Sequence, residues 1–160
     1  MVLTEDEWNP STPEKIIKLG KLLKLKKGNR VIDFGCGCAG PLSLWAEKFG
    51  ITGIGIDISE DFCDRARQKL ASKGLSDRIE IVCSNGADYV FEEGVFDAAT
   101  CIGSTFIFGG CQQTLQVLKR AVHQNGRIGI GETHWLSNQV HPAYAQKQTT
   151  THTETELTQF

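Results

Sequence analysis

Two hydrophobic periods take turns along this chain. Over residues 13–25 the apolar side chains Ile16, Ile17, Leu19, Leu22, Leu23 and Leu25 recur at helical spacing with lysines between them. Thr12 followed by Pro13 supplies an N-cap and a first helical residue. Long lysine stems cover the flanks of an outer helix, so this segment reads as one face of a domain rather than as a membrane-surface helix. Gly28 and Asn29 then turn the chain into Arg30-Val31-Ile32-Asp33-Phe34, a short apolar run suited to a buried parallel strand. The alternation repeats. A helix is expected over 41–49, a strand over 51–58, and a helix to Lys73 that Ser59 caps, with Asp61 and Asp64 in its early turns. A strand over 78–83, a turn or short helix over 86–93, a strand over 95–102, a helix over 111–123 and, after Gly126, a fifth strand over 127–133 complete the pattern. Strands separated by helices of this length need right-handed crossovers, which predicts an α/β domain with a mainly parallel sheet covered on both faces.

The pattern fades after Trp135. Residues 136–160 show no sustained apolar periodicity and 149–158 is rich in threonine with little to bury, so the chain divides into a core over 1–135 and an irregular or disordered tail over 136–160. Seventeen basic and 19 acidic residues, a net charge of -2 and 40% hydrophobic content describe one soluble domain with enough chain for a core. With no long basic block, charge draws it neither to nucleic acid nor to an anionic membrane. No apolar run approaches the roughly 18 residues of a membrane span, and the acidic N-terminus is unlike a secretory leader, so a cytoplasmic location is expected. The six cysteines lie in strand, helix and glycine-turn settings and read as reduced thiols. Cys36 and Cys38 lack a second close cysteine pair and a nearby histidine, so no metal site is expected.

Chemistry concentrates where strands end. After Asp33 the residues Gly35, Gly37 and Gly40 make a strand, tight turn and helix start in that order, and the glycines let a ligand approach the main chain. Asp57 ends the next strand, where an acid accepts hydrogen bonds from both ribose hydroxyls of an adenosine. The arrangement suits a nucleoside-like cofactor. Gly35-x-Gly37-x-x-Gly40 satisfies a dinucleotide fingerprint, which keeps a nicotinamide oxidoreductase open. Asp33 argues against it, because an acid there repels a pyrophosphate but holds an ammonium such as that of S-adenosylmethionine.

These residues resemble the class I S-adenosylmethionine-dependent methyltransferases. Asp33-Phe34-Gly35-Cys36-Gly37-Cys38-Ala39 is similar to the family's first motif, with Ala39 where a third glycine normally stands. Gly53-Ile54-Gly55-Ile56-Asp57-Ile58-Ser59 is similar to the second, which implies that Asp57 binds the ribose and Ile58 packs beside adenine. In 83–88, Asn85 takes the adenine-facing position often held by an acid, and Gly86 offers backbone contact. Asn85 still accepts a hydrogen bond from an adenine amino group. Phe96-Asp97 resembles the start of the family's fourth strand, which places Cys101 and Ile102 at its cofactor-facing end. The loop with Ser104, Thr105, Phe106, Gly109 and Gly110 then borders the transferable methyl group.

The resemblance covers 12–135 and implies a Rossmann-like three-layer fold, S-adenosylmethionine as cofactor and methyl transfer to a small-molecule acceptor. Asp33, Gly35, Cys36, Gly37, Asp57, Ile58, Asn85, Gly86, Cys101 and Ile102 are the expected cofactor-binding residues. On the acceptor side, Glu132 is expected to orient the acceptor and His134 to remove its proton. The family's lid helices and final antiparallel strands are not legible in 136–160. Their absence would leave 127–133 as an exposed sheet edge suited to a homodimer, and it motivates a second reading, a non-catalytic cofactor-binding or assembly module.

Overall fold

The computed structural model describes residues 12–132, together with the strand segments 134–135 and 152–153. Helix α1 spans Pro13–Leu22, and its N-cap Thr12 accepts a hydrogen bond from the Lys15 amide as its position before Pro13 predicts. Strand β1 (Arg30–Phe34) leads into α2 (Gly40–Phe49), then β2 (Thr52–Asp57), α3 (Glu60–Ser72) and β3 (Ile79–Cys83). Ser59 caps α3 through the Phe62 amide. After a connection without a helix, β4 (Phe96–Ile102) is followed by a 3-10 turn (Thr105–Phe108), α4 (Cys111–Ala121) and β5 (Val122–Gly131). Two short strands, β6 (His134–Trp135) and β7 (His152–Thr153), pair parallel with each other. The rest of the expected tail lies outside the described residues.

The five main strands form one sheet in the order β3-β2-β1-β4-β5, and every neighbouring pair is parallel. This is the Rossmann-like α/β architecture. Two apolar layers sandwich the sheet. On one face Ile16, Leu42, Trp45, Cys63 and Leu70 join α1, α2 and α3 to the strands; on the other Phe34, Ile56, Phe96 and Leu118 bury α4. Helices α1 and α2 approach closely at Gly20, where a Cβ would sit 2.5 Å from Phe49 and 2.8 Å from the Trp45 indole nitrogen. That nitrogen donates to the Ile16 carbonyl at 2.8 Å, so a buried polar tip is satisfied across the helix pair. No helix among the described residues is long and apolar enough to cross a membrane, and all six cysteines are free thiols.

The bounds of β5, expected over 127–133 and found at Val122–Gly131, differ most from the sequence expectation. Strand β5 begins at Val122, inside the segment expected to end α4, and the register jumps from Phe96 opposite Val122 to Ala98 opposite Arg127. Residues 123–126 bulge out between these pairs. Asp97 anchors the bulge by taking the Arg30 amide at 2.8 Å and approaching the His123 ring at 3.3 Å. Gly126 makes the bulge possible, since a Cβ there would lie 2.5 Å from that of Val122.

Candidate functional site

The chain leaves β1 toward β2 on one side and returns as β4 on the other, so the C-terminal ends of β1 and β4 flank a topological switch point, where open α/β sheets place their ligand crevice. Asp33 lies there, opposite Gly55 on β2 and Thr100 on β4. Its side chain is 2% exposed, and the Thr100 hydroxyl donates to its Oδ1 at 2.6 Å. Burial pushes the Asp33 carboxyl up to about 7, the Thr100 hydrogen bond works against that rise, and the charge of Asp57 adds to it. A buried acid held by one hydroxyl, with a second carboxylate nearby, is a place where a cation is welcome.

The turn after Asp33 is built from backbone. The Gly35 and Cys36 amides donate to the Ile56 carbonyl at 2.8 and 3.0 Å, which folds the loop over the end of β2. Gly35 and Gly37 have φ of +70° and +52°. Ala39 also adopts the left-handed conformation, φ +55°, at the N-cap of α2. A side chain there costs roughly 1 kcal/mol relative to glycine. It is tolerated where the family's third glycine would stand because the Ala39 methyl is fully buried in the core. Cys36 turns its thiol inward: a Cβ on Gly55 would meet its sulfur at 2.7 Å. Its thiol is held well above the ordinary value by burial, with Asp33 and Asp57 adding to the effect.

Asp57 ties this turn to the second strand. Its Oδ2 accepts from the Gly37 amide at 2.8 Å and its Oδ1 from the Ser59 amide at 3.0 Å. A carboxylate has about four lone-pair sites, so both oxygens keep capacity for hydroxyl donors. Beside it Ile58 is 69% exposed, an aliphatic surface next to an acid. Asn85 closes a turn on the neighbouring loop, its Oδ1 accepting from the Ala87 amide at 3.1 Å and its Nδ2 donating to Asp88 at 2.8 Å. Gly86 is buried behind it. Cys101 pairs with Phe34 inside the second core layer, and burial raises its thiol strongly. Ile102 is half-buried at the end of β4.

The loop after β4 forms a wall over this crevice. Ser104 stands against Gly35, where a Cβ would come within 2.4 Å of the serine Cβ, and Ile107 lies 3.3 Å from a Cβ built on Gly86. Glu132, just beyond β5, reaches this loop: its Oε1 accepts from the Thr105 amide at 3.0 Å and from the Thr105 hydroxyl at 2.6 Å. Gly37 and Gly103, by contrast, face open space. The structure thus brings Asp33, the glycine turn and Asp57 together at the strand ends, with Ile58 following Asp57, Gly86 set against Phe34 and Ile107, and Glu132 bonded to the loop after β4. His134 follows in β6, and its side chain lies outside the described residues. Sequence reasoning missed Thr100, a strand residue whose only signal is a hydroxyl among the apolar residues that follow Asp97.

Residues 31–126 match the methyltransferase domain. The chain belongs to this family. The methyltransferase-domain chain is 38% identical over 127 residues to the uncharacterized protein YjhP of Escherichia coli K12, covering 79% of this chain and 51% of YjhP. It therefore spans about half the length of that relative. Over 88 residues it is 38% identical to a 24-methylenesterol C-methyltransferase 2 of Oryza sativa subsp. japonica, 55% of this chain and 24% of that protein. Its fold superposes on a SAM-dependent methyltransferase of Thiobacillus denitrificans in complex with S-adenosyl-L-homocysteine with a TM-score of 0.86 and 32% identity, over 96% of this chain and 64% of that one.

Proposed function

We propose that this chain binds S-adenosylmethionine over the ends of β1, β2 and β4 and takes part in methyl transfer to a small-molecule acceptor. The observation that carries the reading is the buried Asp33 carboxyl beside a backbone-lined turn that Asp57 holds through the Gly37 amide. These residues fit the cofactor. Asp33 matches its ammonium, Asp57 has lone pairs for two ribose hydroxyls, and Ile58 presents an exposed apolar surface for adenine beside the Asn85-Gly86 turn. Of the other proposed contacts, Ile102 is half-buried at the end of β4, while Cys36 and Cys101 are buried thiols, one in the turn and one in the second core layer. The bound cofactor would supply an electrophilic methyl on a sulfonium, and alignment of the acceptor provides much of the remaining effect.

The Thiobacillus denitrificans relative holds the demethylated form of this cofactor, and the name of the rice relative describes methyl transfer to a sterol, a small molecule. Both support the reading. On the acceptor side His134 is the proposed base, since an imidazole titrates near neutrality. Glu132 stands at the same strand end with its carboxylate already engaged by Thr105. Six free thiols suit a reducing compartment such as the cytosol. Among the described strands β5 is an outer edge of the sheet, which supports a homodimer there.

Titration calorimetry of the folded chain with S-adenosylmethionine and, separately, NADH tests the cofactor assignment. Saturable binding of the sulfonium compound alone is expected. Binding of NADH alone would overturn the assignment in favour of a nicotinamide enzyme.

A further inference from the structure

The carboxylate of Glu132 makes contacts that a group waiting for an acceptor would not need. Thr105 is the first residue of a 3-10 turn whose preceding residue, Ser104, makes no side-chain cap. The Thr105 amide is therefore an orphan donor of the kind that helix starts leave. Glu132 Oε1 satisfies it at 3.0 Å and takes the Thr105 hydroxyl at 2.6 Å as well. Thr105 is fully buried, and so is Thr114, whose hydroxyl donates to the Thr105 carbonyl at 3.3 Å and to the Gly110 carbonyl at 2.8 Å. Two residues before Thr105, the Gly103 amide donates to the Gly131 carbonyl at 2.7 Å, extending the β4 to β5 ladder to the foot of the loop. The loop is fastened to the end of β5 at two points, and its half-buried residues Ser104 and Ile107 pack on Gly35 and Gly86 of the proposed cofactor site.

We propose that Glu132 is a positioning residue that latches the 104–110 loop to the end of β5 and so sets the wall of the cofactor crevice. The inference rests on the cofactor reading above. Without the latch the loop samples positions in which Ser104 and Ile107 no longer back Gly35 and Gly86, and the apparent cofactor affinity falls by the fraction of time spent there. A carboxylate that accepts two hydrogen bonds has a conservative replacement. Glutamine keeps an oxygen at the same place, whereas alanine removes both bonds.

The test compares Glu132→Ala, Glu132→Gln and Thr105→Val in the full 160-residue chain by S-adenosylmethionine titration, thermal unfolding and amide hydrogen exchange. Glu132→Ala should weaken binding about tenfold, since hydrogen bonds to a charged group carry effects of that size. It should also speed exchange across 104–110, with little change in the unfolding temperature. Glu132→Gln should bind within about twofold of the parent, and Thr105→Val should fall between them. A parent chain that binds while Glu132→Ala binds equally well overturns the latch, as does a Glu132→Gln variant as weak as Glu132→Ala. If the parent itself does not bind, the cofactor reading fails separately. The latch is then judged on exchange alone, and unchanged protection of 104–110 in Glu132→Ala rejects it.

Discussion

Two threonine hydroxyls in this molecule each donate to a carboxylate at 2.6 Å, Thr100 to Asp33 and Thr105 to Glu132, and their surroundings separate their uses. Thr100 and Asp33 face each other in register across β4 and β1 at the centre of the sheet. The acid there is 2% exposed, and burial raises it to about 7. Glu132 lies past the end of the outer strand, half-buried, and receives a backbone amide in addition to the hydroxyl. The second donor completes a loop. At Asp33 the single hydroxyl leaves the charged form short of partners, and a cation is the partner that such a site lacks. In the proposed reading the same short contact serves binding at the sheet centre and loop position at the sheet edge.

The sharpest way to break the contrast is Asp33→Asn, which keeps the shape and removes the charge. Titration should show S-adenosylmethionine affinity falling about 100-fold, the scale expected when a buried charge loses its partner. The fold should tolerate the change. Because the Asp33 pKa is raised on folding from 3.8 to about 7, the folded state holds the extra proton between those values, and this group's contribution to stability falls as pH rises through that window. The asparagine variant should lose that part of the decline in a melting series from pH 4 to 8. Binding as tight as the parent's would move the cationic subsite away from β1.

A smaller effect is expected from Thr100→Val, which is nearly isosteric and suited to a strand. Removing a hydrogen bond that lowers the Asp33 pKa should move the pH midpoint of cofactor binding up by about one unit and weaken binding at pH 7 about fivefold. Set beside Thr105→Val, it sharpens the comparison: the sheet-centre variant should shift a pH profile, and the edge variant should alter affinity without shifting it. A common response from both would show that the two contacts do one job.

Much of the fold was legible because its signals are local. Thr12 before Pro13 and Ser59 at the start of α3 cap the helices they were expected to cap, and the apolar runs of β1 to β4 lie within a residue or so of their expected bounds. The start of β5 was not legible, because the bulge over 123–126 depends on Asp97 and Arg30, partners distant in sequence that periodicity does not register. At the site, the order of acid, glycine turn and second acid carried the cofactor expectation, since strand ends and tight turns are written in neighbouring residues. Three features depend on contacts between separate segments. Thr100 meets Asp33 only once β4 lies beside β1, Glu132 meets Thr105 only once β5 lies beside β4, and Cys36 turns inward because Gly55 leaves space for it.

The most direct test of the account is S-adenosylmethionine titration of the chain at pH 6, 7 and 8 in buffers with different heats of ionisation. Binding that needs Asp33 charged should be about tenfold tighter at pH 8 than at pH 6 and should release protons near pH 7, where the free protein still carries part of the acid protonated. Saturable binding with equal affinity at all three values and no proton release would contradict a raised Asp33 carboxyl that ionises to meet the cofactor, and the central claim would fail.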